Sequence, residues 1–161
     1  WFWPEAATFL QSGPGLDAFA GRAIDSGSAY VTKNFEGVAM WMPPGVEPDE
    51  ERMMPIFEET VAAETIEDVF AVFEAMDEYH PDDPCWYLPL IAVDPAYQGN
   101  GFGSQLMKHA LNRIDEDGLL AYLESSNPRN ITLYERQGFE IMGQVQIGGS
   151  PPIHPMIRPS S

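Results

Sequence analysis

One segment limits the fold more than any other: Leu88-Pro89-Leu90-Ile91-Ala92-Val93-Asp94-Pro95-Ala96-Tyr97-Gln98-Gly99-Asn100-Gly101-Phe102-Gly103-Ser104. An apolar run is halted by Asp94-Pro95, and glycines then occupy alternate positions. Apolar side chains follow at Leu106, Met107, Ala110, Leu111 and Ile114. Spacings of three and four mark one face of a helix, and the run before the turn reads as a buried strand. A strand, a glycine turn and a helix in that order aim several backbone N–H groups at one point. The helix dipole favours negative charge there, so the turn reads as a cradle for a diphosphate. Glycine serves where a side chain would block approach or where φ is positive. The spacing is G-x-G-x-G rather than the G-x-G-x-x-G of dinucleotide sites, and no Gly-Lys-Ser or Gly-Lys-Thr follows.

The remaining pattern builds one α/β domain over residues 1–161. A short helix is expected over 1–10, an interruption at Gly13-Pro14-Gly15 and a second helix over 16–23. Residues 28–33 and 37–42 read as a hairpin turned by Asn34-Phe35-Glu36. The stretch 48–79 is helical and splits in two near Glu64, where Thr65 opens a new helix. After the loop His80-Pro81-Asp82-Asp83-Pro84 come a strand over 86–93 and a helix over 103–115. A strand follows over 119–123, a helix over 128–137, and strands over 139–147 and 153–158. Alternation in the second half predicts a parallel strand pair joined by a crossover helix.

Charge narrows the function. With 25 acidic and 8 basic residues the net charge is −17, which opposes binding to nucleic acid and suits a cationic partner such as an amine. Cys85 is the single cysteine, so no internal disulfide and no cysteine-rich metal site is available. His80, His109 and His154 show no metal-ligand spacing, and no metal is expected. No apolar run is long enough to span a membrane, and a cytoplasmic location is the default expectation.

Two further blocks give the glycine turn its meaning. Leu123-Glu124-Ser125-Ser126-Asn127-Pro128-Arg129-Asn130 ends a strand and opens a helix, and Leu133-Tyr134-Glu135-Arg136-Gln137-Gly138-Phe139 closes it. Together with Gln98, Gly101 and Gly103 they resemble the GNAT superfamily of N-acetyltransferases, whose loop reads Gln/Arg-x-x-Gly-x-Gly/Ala and whose later segment reads Tyr-Glu-x-x-Gly-Phe. The approach from His80-Pro81 to Trp86-Tyr87-Leu88, the strand end Leu123-Glu124-Ser125-Ser126 and Met156 are most similar to the puromycin N-acetyltransferase-like branch. The resemblance implies a mixed central sheet flanked by helices. It also implies an N-terminal strand and helix that this chain, beginning at Trp1, lacks; part of the domain is expected to be missing there.

The resemblance further implies acetyl-CoA as co-substrate. Its arm would bond backbone groups of Ile91, Ala92 and Val93 as an added strand. Its diphosphate would sit on Gln98, Gly99, Asn100, Gly101, Phe102, Gly103 and Ser104, with Phe102 mainly packing. Tyr134 would protonate the departing thiolate. Of Asn127 and Asn130, one would cap the helix and the other bond the cofactor. Glu124 is the leading general base, with ordering of the helix start as its alternative role; His80 and Tyr87 are secondary candidates. A backbone N–H near Val93 would serve the oxyanion. His109 and Cys85 are assigned no chemistry. The expected activity is direct transfer to a primary amine of a small molecule. A protein or peptide amine, or a non-catalytic acyl-CoA sensor, are the alternatives, and the expected partners leave room for a homodimer.

Overall fold

The computed structural model describes residues 1–11 and 13–160. Ahead of the first strand, its described residues form three short helices: α1 (Ala6–Gln11), α2 (Gly13–Ala20) and α3 (Arg22–Asp25). Gly13-Pro14-Gly15 therefore opens a helix instead of interrupting one. Proline is tolerated in a first helical turn, where its missing N–H would have had no partner. The hairpin is β1 (Ala29–Val31) and β2 (Gly37–Met42). Its turn is held by Glu36, which accepts from the Thr32 hydroxyl at 2.6 Å and from the Asn34 side chain at 2.8 Å. These bonds hold the Glu36 carboxyl down at about 2.

Next come α4 (Glu50–Thr60) and α5 (Ile66–Asp77), then β3 (Cys85–Val93), α6 (Phe102–Asp117), β4 (Leu120–Ser125), α7 (Pro128–Glu135), β5 (Glu140–Ile141) and β6 (His154–Arg158). The Asp49 side chain caps α4 by accepting from Arg52 N. Thr65 stands at the start of α5 without a capping side-chain bond. One expected strand shrinks: of residues 139–147 only Glu140–Ile141 is a strand, followed by a bridge between Val145 and Ile153. Gly143 explains the break. A Cβ there would lie 2.6 Å from the Tyr79 hydroxyl, so the chain is pressed against that ring between Met142, whose N–H still donates to Pro155 O at 2.9 Å, and the Val145–Ile153 bridge.

The sheet has the order β1-β2-β3-β4-β6-β5, with β3 and β4 parallel and their neighbours antiparallel. The right-handed crossover rule makes α6 the natural cover of the parallel pair. Its Leu106, Met107, Ala110, Leu111 and Ile114 pack with Trp86, Leu88, Leu123 and Met156. Strand alternation sends Tyr87, Tyr122 and Glu124 to the opposite face. There α2, α4 and α5 form a second core around Ala18, Met53, Phe57 and Val69.

Candidate active site

The site begins where β3 leaves β4. Their pairing runs from Cys85↔Leu120 to Leu88↔Leu123 and stops, although β3 continues to Val93. The cause is local. Between Met40↔Leu90 and Met42↔Tyr87 the register slips, so Leu88 and Pro89 together oppose Trp41. A bulge bends its strand, and Pro89 has no N–H to offer a ladder.

Beyond the bulge β3 stays paired to β2, and the hydrogen-bond pattern shows which backbone groups are left over. Asp94 N donates to Glu36 O at 2.8 Å, whereas Gly37 O accepts from Thr32 N, on the β1 side, at 3.0 Å. Antiparallel pairs alternate between bonded and non-bonded, so Val38/Ala92 is bonded and Gly37/Val93 and Ala39/Ile91 are not. The backbone groups of Ile91 and Val93 therefore face the gap, and those of Ala92 face β2. Of the three residues expected to share one role, the geometry separates Ala92 from the other two.

At the end of this strand the chain makes a short 3-10 turn, Pro95–Tyr97, and enters the glycine loop. Gly99 and Gly101 have φ of +80° and +83°, and a Cβ on either would meet nothing within 4 Å. Conformation, and open space above the loop, account for these glycines. Gly103 differs: a Cβ there would come 3.3 Å from Leu133 Cδ2, so it serves the approach of α7 to α6. The first helical bond past the loop is Gln105 N to Gly101 O at 2.9 Å, which leaves the N–H groups of Phe102, Gly103 and Ser104 directed out of the helix start. Gln98 Nε2 donates to Val93 O at 3.1 Å, and Asn100 Nδ2 donates to Tyr97 O at 2.9 Å. Both side chains thus brace the loop's own backbone. Phe102 packs edge-on against Tyr97.

Across the gap lies α7. Asn127 caps it by accepting from Arg129 N at 3.1 Å. Burial pushes the Tyr134 phenol up to about 12, and the nearby Asn130 side chain draws it partly back down. The two asparagines thus stand apart, Asn127 as the cap and Asn130 beside the tyrosine. Gln137 Nε2 donates to the Ser104 hydroxyl at 3.3 Å, which ties α7 to the glycine-loop helix.

Glu124 sits at the far end of β4, on the face opposite α6. Tyr87 donates its hydroxyl to Glu124 Oε2 at 2.8 Å. The Tyr122 hydroxyl faces the same carboxylate without hydrogen-bond alignment. Burial pushes the Glu124 carboxyl up to about 7, with Tyr87 pulling it down. His80 packs edge-on against Tyr122 and Tyr87, with centroids at 4.9 and 5.7 Å. Burial also raises the thiol of the neighbouring Cys85 to about 11, so it stays protonated near neutrality. His109 lies away from this group, against Tyr30.

Two cavities open on Glu124. One of about 440 Å³ is apolar and reaches Trp3, Phe57, Pro89 and Ser126, at the mouth of the strand gap. The other, of about 760 Å³, runs outward past Tyr87 and His80 between the loop after β2 and α5. The sequence could not disclose Tyr122 or the cavity walls, because the contributing segments are remote along the chain. Among the described residues no cluster of His, Cys, Asp and Glu is arranged to hold a metal ion. No helix there is long and apolar enough to cross a membrane.

The sequence profile described as Acetyltransferase (GNAT) family matches residues 35–139. An uncharacterized N-acetyltransferase of Schizosaccharomyces pombe is 41% identical over 58 residues, 36% of this chain and 24% of that protein. A mycothiol acetyltransferase of Brachybacterium faecium is 36% identical over 58 residues, 34% of this chain and 18% of that protein. These matches span about a quarter of the relatives' length or less. A solved Corynebacterium glutamicum protein, described as histone acetyltransferase HPA2 and related acetyltransferase, shares the fold. It is 24% identical with a TM-score of 0.58, covering 99% of this chain and 86% of that one. Since the profile match runs from the hairpin turn to the end of the segment that closes α7, the chain belongs to the GNAT acetyltransferase family, which uses acetyl-CoA.

Proposed function

We propose that this chain is an acetyl-CoA-dependent N-acetyltransferase that moves the acetyl group directly to a primary amine of a small molecule. The observation that carries the reading is the gap beyond Leu88. It is bordered by an unpaired strand edge, leads to a helix start with free N–H groups, and has a half-buried carboxylate on its other side. The free N–H and C=O of Ile91 and the N–H of Val93 suit the amides of the pantetheine arm. The loop from Gln98 to Ser104 suits the diphosphate through its backbone, with Gln98, Asn100 and Gly103 shaping it.

The amine nitrogen attacks the thioester carbonyl, the C–S bond breaks, and its electron pair stays on sulfur. The amine proton passes to Glu124, directly or through water. A base with a pKa of about 7 is half-charged at neutral pH and well matched to the task. Tyr134, held near 12, remains protonated throughout the working range and offers its O–H to the leaving thiolate as a hydrogen-bond donor. An N–H of Val93 or Ile91 is suited to the oxyanion. Proximity in the closed gap supplies much of the acceleration. Similarity to the puromycin N-acetyltransferase-like branch belongs to this proposal and rests on the His80–Leu88 approach and the β4 end.

The test is to incubate the protein with acetyl-CoA and a panel of amines and to follow free thiol. The expected result is thiol release that depends on the amine. Tight CoA binding with no release on any amine, small or peptidic, would leave a sensor and remove the enzyme reading.

A further inference from the structure

Glu124 forms the floor of the larger cavity, and carboxylates punctuate its otherwise apolar and proline-rich wall. Glu47 and Glu50 stand on one side, Glu74 and Asp77 on another, and Asp82 and Asp83 at the loop before β3. All six are exposed, none is in an ion pair among the described residues, and no Lys or Arg lines the cavity. Solvated acidic faces are common, and an acidic wall alone selects nothing.

The floor adds a second, independent observation. Tyr122 is fully buried and its hydroxyl has no hydrogen-bond partner. It points toward Glu124, with Cys85 and Asp77 nearby, all three on the cavity surface. This hydroxyl lies just beneath the cavity lining, so its unmet hydrogen-bonding capacity is directed at the Glu124 end of the cavity. The Tyr87 hydroxyl is already donated to Glu124, so its oxygen retains accepting capacity as well. The rings of His80, Tyr87 and Tyr122 lie around this point, and aromatic faces attract cations. The Glu124 carboxylate, the Tyr87 phenol oxygen and the aromatic rings form a receptor for an N–H-bearing cation. The six outer carboxylates provide for a second positive charge farther out, and low-dielectric walls focus their field inward. A volume of about 760 Å³ fits a small molecule.

Resting on the acetyltransferase reading, we infer that the acceptor is a linear primary amine carrying a second positive charge, a diamine or polyamine. Its reacting nitrogen lies at Glu124 and its second ammonium lies among the outer carboxylates. The apolar cavity on the other side of Glu124 is left for the acetyl end.

The experiment compares diaminopentane with pentylamine, which has the same length and lacks the second charge. The readouts are amine-dependent thiol release and calorimetric binding in the presence of CoA. The expected result is a kcat/KM for the diamine about tenfold higher or more, shrinking in high salt, as one added charge contact predicts. The triple variant Glu47→Gln, Glu74→Gln, Asp83→Asn brings the two amines together by lowering the diamine value several-fold more than the pentylamine value. Equal kcat/KM for both amines in the wild type overturns the inference and leaves acetyl transfer standing. Acetylation of a basic peptide but not of the diamine does the same. Diamine binding that the triple variant loses, without turnover of any amine, removes the transferase reading and retains the cavity assignment. Absence of both binding and turnover removes both.

Discussion

The glycine loop and the cavity over Glu124 lie on opposite sides of one bent strand, and they are built in opposite ways. The loop uses the backbone of consecutive residues. Its N–H groups are positioned by two left-handed glycines and a helix start, and its polar side chains serve only to brace it. The cavity uses side chains from five separated segments, brought together by the sheet, α5 and two loops. A backbone site has no titrating group, so pH leaves it unchanged, but a single Cβ can destroy it. A side-chain site degrades by degrees and follows pH and salt. The two regions therefore fail differently, and substitutions on either side test the contrast.

The largest effect is expected on the loop. Gly101→Trp puts a bulky side chain on a residue at φ +83°, a conformation that costs an L-residue roughly 1–2 kcal/mol, and covers the open helix start. Calorimetry should find no measurable CoA binding; retained affinity would break the assignment of the loop. On the cavity side, Glu124→Gln should lower kcat by roughly 10³-fold and leave CoA affinity unchanged. Wild-type kcat/KM should rise with pH through about 7 as Glu124 loses its proton, and the variant should lack that limb.

The same carboxyl links stability to pH. Its folded pKa, about 7, lies above the ordinary 4.5. The folded state holds the proton more tightly, so this contribution is full below pH 4.5 and is lost as pH rises through 7. Relative to wild type, the Tm of Glu124→Gln should accordingly be higher at alkaline than at acidic pH.

Tyr134→Phe should slow turnover by roughly 10²-fold with CoA affinity little changed; unchanged turnover would end its role as donor. The smallest effect belongs to Tyr87→Phe. That change removes the 2.8 Å bond that holds the Glu124 pKa down. The rising limb of the pH profile should move up by about one unit. A loss that is the same at every pH would instead mark Tyr87 as packing alone.

The loop was legible because its information is local. Asp94-Pro95 ends a strand, Gly99 and Gly101 permit left-handed turns, and the spacing after Phe102 makes a helix, all within one stretch of chain. Helices α4 and α5 were legible for the same reason, through apolar spacing along each. The strand expected over 139–147 was not, because it depends on Tyr79, some sixty residues away, pressing on Gly143. Asn127 and Asn130 could be named as cap and ligand candidates without saying which was which. Only the orientation of α7 gives Asn130 to Tyr134 and Asn127 to the helix end.

The sequence by itself therefore determined the order of elements from the hairpin onward, the parallel pair with its crossover helix, and a helix start able to hold an anion. These follow from backbone rules that act over a few residues. The tertiary structure decided the rest. The bulge at Leu88-Pro89 parts β3 from β4 and turns Ile91 and Val93, but not Ala92, toward the gap. Sheet alternation sets Glu124 beside Tyr87 and Tyr122, and the remote helices bury it enough to raise its pKa. Register and desolvation are properties of chains packed against one another, so no local stretch of residues encodes them.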